Sequence, residues 1–101
     1  MPEQVSCPLA RAAAIVGSRW TLLILRDLSL GSRRFGELQS SLDGISPKTL
    51  SDRLKTLERQ GVIHRSEHRG APVRVCYELT AKGQGLLPVL DSLRAYGERY
   101  L

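Results

Sequence analysis

Between positions 45 and 61 the chain reads ISPKTLSDRLKTLERQG, and its hydrogen-bonding and basic side chains recur so that they share one side of a helix. At about 100° per residue, Lys48, Ser51, Asp52, Lys55, Thr56 and Arg59 project together, with Thr49 and Arg53 on one shoulder. These residue types read base edges and grip phosphates in the major groove of a duplex. The chemistry on offer is therefore recognition of a polyanion. A merely solvated helix carries the same residue types, so the pattern takes its meaning from its surroundings.

Bond-making chemistry finds no such cluster. There is no Gly-rich phosphate loop and no Ser/His/Asp set, and His64 and His68 read as cations on a loop-bearing hairpin. Cys7 and Cys76 are too few for a disulfide framework and lack partners at zinc-ligand spacing, so no metal and no cofactor are expected. An enzyme has no support.

The helix needed to present the polar face is written out in the same stretch. Ser46 suits the N-cap, Pro47 the first helical position and Gly61 the left-handed residue that ends a helix. Ile45 before the cap and Leu50 inside it have the spacing of a hydrophobic staple. Leu50, Leu54 and Leu57 fall at i, i+4 and i+7, giving one narrow apolar stripe. One face is buried and the other offered.

Other elements follow in order. Residues 1–6 form a polar lead expected to fray. Pro8 opens a first helix carrying Leu9, Ala12, Ala13 and Val16, and Gly17 stops it. Ser18 caps a second, whose Trp20, Leu22, Leu23, Ile24, Leu25 and Leu28 make it the hub of the core. Arg33 and Arg34 begin a third short helix with Phe35, Leu38 and Leu42 inward, and Asp43-Gly44 turns the chain into the helix at 46–60. Two short helices joined by a tight Gly-containing turn describe a helix-turn-helix over 33–60.

Beyond Gly61 the period becomes alternating. Residues 62–66 and 73–79 read as two strands, with Val73, Val75, Tyr77 and Leu79 on one face and residues 68–72 as the tip. A lone hairpin is unstable, so it must lean on the helices and leave a basic tip projecting as a wing. Thr80 caps a last helix over 80–101, which Pro88 should kink or leave irregular at its start. Its Leu86, Val89, Leu90, Leu93, Tyr96 and Tyr100, with Leu9 and Val16 of the first helix, exceed what one small core can cover. A two-fold subunit interface takes up the excess.

Length and charge agree with this reading. A chain of 101 residues fits one domain, and four of its five net positive charges lie between Ser46 and Arg74. A compact domain so charged attracts nucleic acid. The longest apolar run, 20–25, is too short for a bilayer and no signal-peptide pattern opens the chain, so a cytoplasmic protein with no membrane partner is expected.

The sequence also resembles a family. Cys7-Pro8, residues 17–28 (GSRWTLLILRDL), residues 33–38 (RRFGEL), residues 44–58 (GISPKTLSDRLKTLE) and residues 77–80 (YELT) with Gly83 closely resemble, in order and over nearly the whole chain, the HxlR-type winged helix-turn-helix transcriptional regulators of bacteria. The resemblance implies an α+β, mostly helical fold with a two- to three-stranded wing. It further implies a homodimer joined through the terminal helices, binding double-stranded promoter DNA with the helix at 46–60 and flanking backbone with the wing. Many members run further at the C-terminus, which bears on the extent of the dimer contact.

Roles can then be assigned. Lys48, Thr49, Ser51, Asp52 and Arg53 are expected near base edges, since the first half of a recognition helix enters the groove. Asp52 is repelled by phosphates unless it accepts from a cytosine amino group or holds a neighbouring cation. Lys55, Arg59, Arg65, Arg69, Arg33 and Arg34 suit phosphate, and Ser46 and Pro47 shape a helix start whose free N–H groups can face one. Cys7 is read two ways: as a thiol whose thiolate is favoured at a helix start and which senses oxidants, as in some members of the family it resembles, or as a small residue buried between subunits. Cys76 reads as an ordinary thiol, with pairing to Cys7 left open. A winged helix that binds protein is the competing class, and such a module need not keep a basic face.

Overall fold

In the computed structural model, which describes residues 7–70 and 72–101, three leucines hold the central helix in place. Leu50, Leu54 and Leu57 of α4 (Pro47–Arg59) are each at most 1% exposed. Burying a leucine contributes about 1.5–3 kcal/mol, so this stripe fixes which way the helix faces. The helix start is as its residue types demand: the Ser46 hydroxyl accepts the Thr49 N–H at 3.0 Å. At the other end Gly61 has φ +75°, Val62 N–H donates to Leu57 O and Gly61 N–H to Glu58 O, both at 3.0 Å. This is the Schellman closure that glycine permits.

The remaining order is α1 (Pro8–Val16), α2 (Arg19–Leu28), β1 (Arg33–Arg34), α3 (Phe35–Ser41), then α4, β2 (Ile63–His68), β3 (Arg74–Leu79), α5 (Ala81–Gln84) and α6 (Leu87–Tyr100). Helix α2 is the hub: Ile24, Leu25 and Leu28 are buried against Leu38 and Leu42, against the α4 stripe with Ile45, and against Val62, Ile63 and Leu90. Thr21 and Asp27 are buried with them, and Asp27 bonds through Oδ1 to its neighbour Arg26 at 3.1 Å. No single helix among the described residues is long and apolar enough to cross a membrane.

The sheet is antiparallel with order β1-β3-β2. Strand β2 pairs with β3 from Ile63↔Leu79 to His68↔Arg74, and β1 pairs through Arg33↔Tyr77 and Arg34↔Cys76. The winged helix-turn-helix is complete, with a three-stranded wing.

Four expectations need correction. Arg33 and Arg34 form a strand, and helix α3 starts at Phe35; Glu37 reaches back to accept the Arg34 N–H at 2.8 Å. The C-terminal helix is two, because Gly85 and Leu86 interrupt it and Pro88 lies in the first turn of α6, where its missing N–H costs nothing. Val73 is 57% exposed and precedes β3, since the hairpin outruns the core against which Tyr77 and Leu79 pack. Leu90, 8% exposed, belongs to the subunit's own core and is not free for a partner, while Val16 and Leu86 pack against that core and are only partly buried. The lead at 1–6 and Ala71 of the tip lie outside the described residues.

Candidate nucleic-acid interface

Helix α4 turns its back to the core and its polar side to solvent. Ser46, Pro47, Lys48, Asp52, Arg53, Lys55 and Arg59 are exposed, and Thr49 and Ser51 are half-buried at the edge. Several of these groups are already ordered. Ser46 Oγ donates to Thr49 Oγ1 at 2.9 Å, and Lys48 Nζ donates to Asp52 Oδ2 at 3.0 Å across one turn. Thr56 Oγ1 donates to Asp52 O and accepts from Arg59 Nη2 at 3.2 Å. The face is a linked row of donors and acceptors, with Arg53 and Lys55 extending from it.

Beside it the hairpin carries Arg65 and Arg69, both exposed. Arg65 Nη1 lies 3.1 Å from Glu67 Oε1. Hydrogen bonds to Glu67 and then Tyr77 raise its pKa further above the range in which a guanidinium is already always charged. Arg69 is in the tip, and Arg74, exposed at the foot of the tip and paired with His68, joins this basic set. Arg33 and Arg34 sit elsewhere: β1 is on the opposite sheet edge from β2, and Arg33 Nη1 is turned to Ser32 O at 2.9 Å. The fold thus exposes the α4 residues and the arginines of the hairpin that follows it, and puts Arg33 and Arg34 on the other edge of the sheet.

The geometry is that of a helix-turn-helix with a cationic wing, and comparison with known proteins decides its kinship. The HxlR-like helix-turn-helix family model matches residues 15–101. The chain belongs to the HxlR-like family. It is 37% identical to the uncharacterized HTH-type transcriptional regulator YvaP of Bacillus subtilis, over 100% of this chain and 94% of that protein. It is 36% identical to the HTH-type transcriptional regulator YodB of the same organism, over 93% of this chain and 85% of that one. The solved reduced form of YodB superposes with a TM-score of 0.82, covering 93% of each chain. The oxidised form of the redox regulator HypR superposes with a TM-score of 0.89 at 27% identity, covering 94% of this chain and 98% of that one. This HxlR-family chain is a transcriptional regulator with a helix-turn-helix fold, and not an enzyme.

Two functional features of this HxlR-family chain escaped the sequence. Thr56 is visible as part of the polar face, but the hydrogen bond it donates to Asp52 O and the one it accepts from Arg59 depend on rotamers. The clamp at the end of α4 depends on tertiary approach: Thr80 Oγ1 donates to Gly61 O at 2.6 Å, lies 3.1 Å from Val62 O and accepts the Gly83 N–H, while Lys82 Nζ donates to Gln60 O at 2.6 Å. A Thr three residues before a Gly signals a helix cap and nothing about the distant carbonyls it holds.

Proposed function

We propose that this regulator acts as a homodimer on a promoter operator in the cytoplasm, with α4 in the major groove and the β2–β3 wing on flanking backbone. The observation that carries the reading is the two-sidedness of α4, held by three buried leucines and offering Lys48, Asp52, Arg53, Lys55 and Arg59 outward beside Arg65 and Arg69. Lys48, Thr49, Ser51, Asp52 and Arg53 meet base edges. Lys55, Arg59, Arg65 and Arg69 meet phosphates, and Ser46 and Pro47 set the helix start. Arg33 and Arg34 reach backbone only at the margin of the site, given their strand.

The dimer follows from α6. Val89, Leu93, Tyr96 and Tyr100 are 41%, 49%, 58% and 62% exposed and spaced by four, three and four residues. Such a seam pairs with a second helix of its own kind. Leu9 of α1 is 78% exposed and is a further large apolar side chain left uncovered by the subunit. Cys7 supplies a redox input: it is exposed, stands at the N-cap of α1, and is available to an oxidant. Related YodB and HypR are known in reduced and in diamide-treated or oxidised forms.

Anisotropy titrations with upstream DNA and a random duplex, at several salt concentrations, test the reading. Arg69→Ala should weaken both DNAs alike and lower the salt slope by about one. Arg53→Ala should lose more on the operator. Equal losses for Arg53→Ala on both duplexes would remove it from base readout, and the absence of binding at low salt would end the proposal. For the redox input, mild peroxide should alter DNA binding of the parent and spare Cys7→Ser; identical responses would exclude Cys7.

A further inference from the structure

The Lys48–Asp52 pair is placed badly for stabilising its own helix. Lys48 stands in the first turn of α4, where the positive end of the helix dipole disfavours a cation. The order Lys then Asp at i,i+4 is the weaker orientation of such a pair. Both side chains are largely solvated, 84% and 60% exposed, and exposed pairs contribute little to stability. A carboxylate on a face meant for phosphates also weakens attraction to any duplex. The pair therefore has to be explained by what it does when the face is occupied.

Its geometry matches one edge of DNA. Lys48 Nζ and Asp52 Oδ2 are 3.0 Å apart, a donor with N–H groups to spare beside an acceptor with free lone pairs. In the major groove a G·C pair presents guanine O6 as an acceptor beside the cytosine N4 amino donor. Those two atoms are partners in a base-pair hydrogen bond and so lie about 2.9 Å apart. An A·T pair has its donor on the purine and its acceptor on the pyrimidine, the reverse order along the groove.

We infer that Lys48 and Asp52 act as one reading unit for a G·C base pair, Lys48 donating to guanine O6 and Asp52 accepting from cytosine N4, an inference that rests on the DNA-binding reading above. The ion pair sets the spacing of the unit before it meets DNA. Asp52 also lowers affinity for other sequences, because the carboxylate lone pairs that Lys48 leaves free are met in the groove only where a cytosine amino group is in reach and otherwise lose water or face acceptors. Specificity arises from both effects.

Selection of binding sites from a random duplex library, followed by titrations on single-pair variants of the selected site, tests the inference. The parent chain should enrich an operator in which each half-site holds one G·C pair, preferred by about 10-fold or more over other pairs. Asp52→Ala and Lys48→Ala should each abolish that preference at the same position. Asp52→Ala should also bind random DNA more tightly. Asp52→Asn should move the preference to T·A in the same orientation, because an amide reads adenine. Both positions are solvent-exposed, so circular dichroism should show the variants folded. If Asp52→Ala tightens binding to every duplex and leaves sequence preference unchanged, Asp52 is only a charge brake and the inference is overturned. If the parent enriches no sequence at any salt concentration, the DNA-binding reading itself has failed.

Discussion

Ser46 illustrates what one side chain does here. Its hydroxyl takes the Thr49 N–H at 3.0 Å and closes the start of the helix whose first turns carry Lys48 and Asp52. Ser46→Ala should destabilise the fold by about 1 kcal/mol, read from the urea midpoint, and should weaken operator binding further by fraying the reading turn. A cap of this kind could be read directly from the chain because it depends on residues three apart. The same is true of the Lys48–Asp52 pair, whose i,i+4 spacing places the two groups in reach. It is not true of Asp27, an acid on the hub helix that is only 7% exposed. Nothing in 19–28 marks that acid as an inward residue, because its burial is decided by elements packed around it from far along the chain.

At the scale of elements, local signals succeeded where a segment's own hydrogen bonds define it. Helix α4 came out at Pro47–Arg59 against an expectation of 46–60, because its cap, stripe and closing glycine are all local. Strand β1 reads as helix in the sequence because two residues become a strand only by pairing with Tyr77 and Cys76, more than forty positions away. The break before α6 was half-read from Pro88. The contact that holds α5 was not readable: a Cβ on Gly83 would lie 2.1 Å from Val62 O. Gly83→Ala should therefore force the backbones apart and destabilise by about 1–3 kcal/mol or more, seen as a lowered melting temperature. Gly36→Ala, where nothing lies within 4 Å, is the control and should change it little.

For the whole molecule, the apolar seam of α6 separates stability from assembly. Leu93→Glu alters a residue that is 49% exposed, so the subunit should stay folded by circular dichroism, lose the dimer in sedimentation velocity and bind the operator more weakly. Leu90→Ala should instead cost about 2–5 kcal/mol of fold stability, since Leu90 is in the core. The clamp by Thr80 and Lys82 joins these scales. Three consecutive carbonyls at 60–62, behind a helix about 20 Å long, are moored to the segment that leads into α6. Those bonds tie the tail of α4 to the run-in to α6, so neither can be displaced without breaking them or carrying the other along.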